Sequence, residues 1–277
     1  MQAIKEIAKT VVYGAIHIST AGRGVTRTVC GEPVRFPARW FRYYPATYEP
    51  ETFAFLRAHC KPGDTALDVG AHIGLFSVVL ARLVGPAGRV FSFEPTPLSR
   101  SVLQETVRLN GCGQTVEVRG EAVGAASGTA TFYDTGHEVS NANSLVRTGG
   151  SKGGITVQTV SVDDFAAARG LKVDCLKIDV EGAELDLLRG AARVFEECRP
   201  VARLGLHPAA IKAGGGSLGD IWELLRRYRM SATYDGEPVD ERWFCRQENL
   251  FDVSLLPAER APSARPTTTN PGNEKSS

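Results

Sequence analysis

Asp64-Thr65-Ala66-Leu67-Asp68-Val69-Gly70-Ala71-His72-Ile73-Gly74-Leu75-Phe76-Ser77 is the stretch that decides the fold. Leu67 and Val69 lie in a short apolar run of the kind that forms a buried strand. Gly70 and Gly74 bracket a tight turn, and Leu75, Phe76, Val78, Val79 and Leu80 begin an apolar helix. Such a strand, turn and helix leave free backbone N–H groups and a helix N-terminus at the carboxyl end of a parallel strand. Open α/β sheets take their ligands there.

The glycine spacing narrows the ligand. A dinucleotide fingerprint reads Gly-x-Gly-x-x-Gly, whereas this turn is Gly70-x-x-x-Gly74 with an acid, Asp68, two residues before it. An acid at the strand end repels a pyrophosphate and suits a cation such as the ammonium of an amino acid. Glu94, 26 residues after Asp68, closes the next strand-like run, Arg89-Val90-Phe91-Ser92-Phe93. A carboxylate there can accept hydrogen bonds from both hydroxyls of a ribose. A ligand with a ribose, an amino-acid end and no phosphate is S-adenosyl-L-methionine. The plainer alternative is an ordinary strand turn with a surface acid.

The rest of the composition sets limits. The chain has 277 residues, enough for one large α/β domain with additions, and 43% hydrophobic residues support a sizeable core. A net charge of +1 gives no electrostatic case for a nucleic-acid partner. The six cysteines are scattered, without metal-binding spacing, and read as reduced thiols in a cytoplasmic protein. No apolar run approaches the length of a membrane span. Ile4, Ile7, Ala8, Val11 and Val12 recur at helical spacing and predict an amphipathic helix packed on the core or over the cofactor. Glu6 and His17 interrupt what would otherwise resemble a signal peptide.

Residues 1–50 are therefore read as an N-terminal helix and an irregular cover segment, 51–256 as the main domain and 257–277 as a disordered tail poor in apolar residues. The aromatic run Trp40-Phe41-Arg42-Tyr43-Tyr44 would either shape a substrate pocket or, as the simpler reading, form a satellite cluster under a long loop. Helices are expected from Glu51 to His59, from Pro97 to about Asn110, and through Tyr228 behind a cap at Ser217 or Asp220. Glu121 falls at the carboxyl end of the third strand. It would meet the adenine or ribose edge, or be a solvated loop acid. The polar, glycine-rich stretch from Asp134 to Gly154, with Asn141, Asn143 and Ser144, is a long loop, and long loops in compact domains often carry function.

A second stretch, Val173-Asp174-Cys175-Leu176-Lys177-Ile178-Asp179-Val180-Glu181-Gly182-Ala183-Glu184, places a strand end at Asp179 and a helix start near Ala183. In a doubly wound sheet this strand lies beside the first, so Asp179 and Glu181 face the reacting centre. A partly buried carboxylate is costly unless paired or used. The competing explanation is a structural pair with Lys177, which shares a face with Asp179. Glu184 suits the first turn of a helix. His207 ends the strand Pro200-Val201-Ala202-Arg203-Leu204-Gly205-Leu206 and could accept a hydroxyl proton at neutral pH, or be structural. Asp179 and Glu181 also suit a divalent metal, but two carboxylates are too few ligands to assign one.

Together, Lys61-Pro62-Gly63-Asp64, Leu67-Asp68-Val69-Gly70-Ala71-His72-Ile73-Gly74, Phe93-Glu94-Pro95 and Leu176 to Glu184 resemble the FkbM family of S-adenosylmethionine-dependent methyltransferases. Asn143-Ser144-Leu145, Ser161-Val162-Asp163-Asp164 and Leu206-His207-Pro208 fit the same pattern, and the likeness spans roughly residues 50–255. It implies a class I methyltransferase fold, an α/β Rossmann-like, seven-stranded, mostly parallel sheet whose last strand is antiparallel, with helices on both faces. It also implies O-methylation of a hydroxyl on a sugar or secondary metabolite. Two positions depart from the family: His72 stands where Asn is frequent, and Gly205 where an acid often precedes Leu-His-Pro. On this reading Asp68, Gly70, Ala71, His72 and Gly74 hold the methionine end, Glu94 the ribose and Glu121 the nucleoside edge. Asp179, Glu181 or His207 takes the hydroxyl proton. The rivals are a nicotinamide-dependent oxidoreductase, which lacks its glycine fingerprint here, and a non-catalytic binding protein on the same fold.

Overall fold

The structure, a computed structural model, describes Tyr13 and residues 18–134, 143–147, Gly149 and 153–261. The helix expected over residues 4–12, Asn141 and the tail beyond residue 261 lie outside the described residues.

The chain opens with a hairpin, β1 (Val25–Val29) and β2 (Glu32–Phe36), where the sequence reading expected irregular chain. Its two turn residues, Cys30 and Gly31, both have positive φ (47° and 82°). That geometry matches the twist of a two-residue hairpin. Cys at the first position hides the usual Asn-Gly signal. Helix α1 (Pro50–His59) follows, then β3 (Thr65–Val69), α2 (Leu75–Val84), β4 (Arg89–Phe93), α3 (Pro97–Leu109) and β5 (Val116–Arg119). Next come β6 (Ala122–Val123), β7 (Gly128–Asp134), β8 (Gly153–Val160), α4 (Val162–Arg169), β9 (Cys175–Ile178), α5 (Glu184–Arg189) and β10 (Val201–Leu206). The chain closes through α6 (Pro208–Ala213), α7 (Leu218–Arg227), β11 (Met230–Tyr234), β12 (Glu237–Pro238), α8 (Glu241–Phe244) and β13 (Phe251–Pro257).

The main sheet runs β12-β11-β13-β10-β9-β3-β4-β5. Strands β5, β4, β3, β9 and β10 are parallel, and β13 inserts antiparallel between β10 and β11. This is the class I methyltransferase arrangement with helices on both faces. The expected seven strands gain an eighth, because the two residues of β12 pair with the edge of β11. Strand order reverses between β3 and β9, so both decisive stretches end side by side at the switch point. Pro257, expected in the tail, is the last residue of β13.

Alternation along the strands divides the core into two faces. Leu67, Val69, Phe91, Phe93, Leu176 and Ile178 pack on Leu187, Leu188, Phe195 and Ile221. Ala66, Val90, Val116 and Cys175 pack on Phe53, Leu75, Val79, Leu80 and Leu103. Each fully buried Leu or Phe contributes about 1.5–3 kcal/mol. Residues 122–160 add a small sheet, β6-β8-β7, whose β7 and β8 pair antiparallel across the long loop. Among the described residues, no helix is long and apolar enough to cross a membrane.

Candidate active site

The turn after β3 is built by close approach. Gly70 has φ 78°, and a Cβ there would stand 1.8 Å from the carbonyl oxygen of Asp179. No side chain fits, so the ends of β3 and β9 can touch. Gly74, at φ 91°, begins α2, where a Cβ would strike Leu103. Both amides at the turn, Gly70 N–H and Ala71 N–H, donate to the Phe93 carbonyl. The turn is thereby tied to the end of β4, which carries Glu94.

Glu94 is buried, and its carboxylate is held in place at both oxygens. Oε2 accepts from the backbone N–H of His72 at 3.0 Å, and Oε1 from that of Thr96 at 2.8 Å. Burial drives its carboxyl up to about 7, against the pull of those bonds and of Arg100. Each oxygen keeps a further lone pair for a ligand. His72 is a non-glycine residue at φ 51°. Its ring lies 4.7 Å from the ring of Tyr43, and its Nδ1 shares a 3.0 Å hydrogen bond with the Tyr44 hydroxyl. Burial and the charge of Lys177 lower its pKa to about 4, so the ring is neutral at physiological pH.

Glu94, Gly70, Ala71, His72, Glu121, Lys177 and Asp179 line one cleft of about 770 Å³, open to solvent at its mouth. Asp68 does not line it. This residue is fully buried beneath the turn, with Oδ2 accepting from Ser77 Oγ at 2.6 Å and Oδ1 unpaired. Burial raises its pKa, opposed by Lys177 and Ser77. The carboxylate expected to meet the ammonium is thus buried rather than on the cleft wall. Glu121 lies on the cleft wall, where burial raises its pKa but the guanidinium of Arg119 outweighs it and lowers it.

At the opposite end stands a polar cluster. Lys177 Nζ donates to Asp179 Oδ2 at 3.2 Å, so the structural pair weighed from the sequence does form. Burial works against the lysine's charge, yet Asp179, Glu49 and Asp68 hold its pKa above the ordinary value. Asp179 is pulled below its usual range by Lys177 and His207 in spite of burial. His207 Nδ1 lies 2.7 Å from Glu184 Oε1, and Nε2 lies 3.2 Å from Glu181 Oε2 and 3.7 Å from Asp179 Oδ1. Burial opposes the imidazolium, but Glu181 and Glu184 raise its pKa to about 10. The sequence expectation that His207 accepts a proton at neutral pH fails for this arrangement, because three carboxylates hold the ring charged.

Several residues that the sequence reading named without a fixed role, and Tyr48, which it did not name, line or support the site. Tyr43, Tyr44 and Tyr48 line the cleft, so the aromatic run covers the site, whereas Trp40 and Phe41 pack on the core. Glu184 is fully buried, accepting from the Gly182 N–H at 2.9 Å while it holds His207. Asn143 and Leu145 of the long loop line the cleft, and Asn143 Nδ2 lies 3.3 Å from Thr96 Oγ1.

Comparison with known proteins bears on this geometry. Residues 68–230 match the profile of the methyltransferase FkbM domain. The 31-O-demethyl-FK506 methyltransferase FkbM of Streptomyces tacrolimicus is 27% identical over 206 residues, covering 65% of this chain and 77% of the relative. The hexuronic acid methyltransferase AglP of Haloferax volcanii is 25% identical over 202 residues, covering 71% and 80%. Among solved structures, methyltransferase FkbM of Methylobacillus flagellatus KT overlays with a TM-score of 0.45 at 16% identity, over 75% of this chain and 51% of that one.

Proposed function

We propose that this chain, which belongs to the FkbM methyltransferase family, is an O-methyltransferase acting on a hydroxyl of a small molecule or glycan. S-adenosyl-L-methionine dependence comes with the family. The observation that carries the reading is Glu94. Its carboxylate, fixed at both oxygens by backbone N–H groups, presents its remaining lone pairs to a cleft that also reaches Asp179. The residues fit the cofactor, since Gly70, Ala71, His72, Glu94 and Glu121 line the same cleft. Glu94 would hold the ribose, with Gly70, Ala71 and His72 along the methionine end and Glu121 at the nucleoside edge. The cofactor, when bound, supplies an electrophilic methyl group.

The chain's own residues then orient the acceptor. Tyr43, Tyr44 and Tyr48 form an apolar wall with polar tips, suited to the faces of a ring bearing hydroxyls. Lys177 and His207 hold Asp179 ionised. With Lys177 and His207 both on Asp179, Glu181, which meets His207 through Oε2 at 3.2 Å, would take the hydroxyl proton on its other oxygen. Much of the rate comes from alignment of acceptor and donor. The names of the two relatives, one acting on 31-O-demethyl-FK506 and one on a hexuronic acid, support an oxygen acceptor. Six unpaired thiols fit a reducing, cytoplasmic compartment.

Radiolabelled methyl transfer to a panel of glycosides and hydroxylated macrolides tests the reading. Transfer to a hydroxyl, falling at least 100-fold in Glu181→Gln, is expected on the usual scale of general-base catalysis. Transfer to nitrogen alone would remove the O-methyl assignment.

A further inference from the structure

We infer that Asp179, Glu181 and His207 form a binding site for one divalent first-row transition cation at the acceptor end of the cleft. One oxygen of Asp179, one oxygen of Glu181 and one ring nitrogen of His207 all lie within 4.8 Å of one another. From Nε2 the separations are 3.2 Å to Glu181 Oε2 and 3.7 Å to Asp179 Oδ1. Donor atoms each bound at about 2.1 Å to a common ion stand roughly 3–4 Å apart, and both separations from Nε2 already fall in that range.

The surroundings supply a second observation. His207 is 8% exposed, and its buried Nε2 faces Glu181 Oε2 at 3.2 Å without forming an aligned hydrogen bond. The other ring nitrogen is held at 2.7 Å by Glu184, which is itself fully buried and fixed by the Gly182 N–H. Metal-binding histidines are characteristically oriented this way, with a carboxylate on one nitrogen so that the other aims at the ion. Asp179 is oriented likewise, since Lys177 occupies Oδ2 and leaves Oδ1 toward His207. Glu181 reaches the cluster from a non-glycine backbone at φ 53°, a conformation that costs about 1–3 kcal/mol and persists where the fold imposes it. Gly205 adds no side chain beside the donor, and a Cβ there would stand 3.4 Å from Asp179 Oδ1.

Charge and donor chemistry specify the ion. Three carboxylates, Asp179, Glu181 and Glu184, face two cations, Lys177 and the His207 imidazolium, so a divalent ion that displaces the imidazolium proton leaves the cluster neutral. A ring nitrogen with two carboxylate oxygens suits Mn²⁺, Fe²⁺, Co²⁺ or Zn²⁺, whereas Mg²⁺ prefers oxygen and water. His207 enters as the neutral ring, its Nε2 proton having left to solvent. Three protein ligands leave positions open for the acceptor hydroxyl, and Asp179 borders the cleft. There the O–H bond breaks, the electron pair stays on oxygen, and the proton passes to the Glu181 oxygen facing away from the ion. The cation keeps its oxidation state. This role rests on the methyl-transfer reading, but the binding itself does not.

The full chain, stripped of metal, is titrated with MnCl₂ while free Mn²⁺ is followed by electron paramagnetic resonance. S-adenosylhomocysteine binding is measured in parallel. The expected result is one Mn²⁺ per chain with micromolar affinity, displaced by Zn²⁺ far better than by Mg²⁺. Asp179→Asn, Glu181→Gln and His207→Gln should each weaken Mn²⁺ at least tenfold, and Glu184→Gln, acting through His207, should weaken it about 10–100-fold. An unchanged far-ultraviolet circular dichroism spectrum marks each variant as folded. Wild type that binds S-adenosylhomocysteine but neither Mn²⁺ nor Zn²⁺ overturns the site and leaves a salt-bridged triad. Wild type that binds Mn²⁺ but no S-adenosylhomocysteine overturns the methyl-transfer reading instead.

Discussion

Gly70→Ala puts a methyl carbon 1.8 Å from the carbonyl oxygen of Asp179. Real Cβ atoms essentially never approach a heavy atom within 3.0 Å, so the turn and the end of β9 must part by about 1.2 Å. Overpacking of this kind costs about 1–3 kcal/mol. The left-handed backbone, φ 78°, costs an L residue about 1–2 kcal/mol more. The expected loss is therefore about 2–5 kcal/mol. Gly63→Ala separates the two contributions, because Gly63 has φ 91° and nothing within 4 Å of a Cβ. It carries the backbone cost alone, partly offset by about 0.4–1 kcal/mol from a stiffer unfolded chain. Urea denaturation of wild type and both variants reads the difference, with Gly70→Ala expected to lose about 1–3 kcal/mol more than Gly63→Ala. S-adenosylhomocysteine affinity should fall in Gly70→Ala and stay unchanged in Gly63→Ala. Equal stability losses, or intact ligand binding by Gly70→Ala, would refute the close approach of the two strand ends as the basis of the site.

The raised pKa of Glu94, about 7, makes cofactor binding pH-dependent. Ribose hydroxyls donate to the ionised form, so affinity should rise about tenfold from pH 6 to pH 8, and Glu94→Gln should flatten the slope. A flat wild-type profile contradicts the assignment. For ligand-free stability the sign is opposite. The group is protonated in both states below pH 4.5 and ionises more readily unfolded above it, so stability falls by about 3 kcal/mol as pH rises to 7 and beyond. Lys177→Met removes the counter-charge of Asp179 and Asp68 and should cost about 3–5 kcal/mol at pH 8. Thermal melts should show the loss shrinking as pH falls and the carboxylates protonate, and an unshifted melt at pH 8 would contradict the pairing. Tyr44→Phe leaves His72 Nδ1 unpaired in a buried position and should cost about 1–3 kcal/mol in equilibrium denaturation.

The glycine turn and the strand ends beside it are legible in the sequence because backbone constraints dictate them. Gly70, Gly74 and the strand-ending acids recur at spacings that only a strand, turn and helix satisfy, and β3, α2 and β4 form where those spacings place them. Asp68 shows the limit of such reading. Spacing puts an acid at the strand end, but which side of the turn its side chain takes depends on Ser77, nine residues on. The end around His207 is harder to read, since His207 follows β10 while Asp179, Glu181 and Glu184 all follow β9, and only the pairing of those two strands brings them together. A lone histidine reads as a neutral base, and only packing reveals three carboxylates around it. The hairpin β1–β2 escapes the sequence reading because its turn uses Cys30, and the tyrosine cover stands there only as the less simple of two readings because aromatic runs more often serve a core.

The central claim is that the cleft between Glu94 and Asp179 binds S-adenosyl-L-methionine. Calorimetric titration of the wild type and of Glu94→Ala with S-adenosylhomocysteine, and of the wild type with NADH, tests it most directly. The expected result is one S-adenosylhomocysteine site per chain, weakened at least tenfold in Glu94→Ala, as loss of charged hydrogen bonds of about 1.5–3 kcal/mol implies, with no heat from NADH. Binding of NADH without S-adenosylhomocysteine, or S-adenosylhomocysteine binding indifferent to Glu94→Ala, would contradict it.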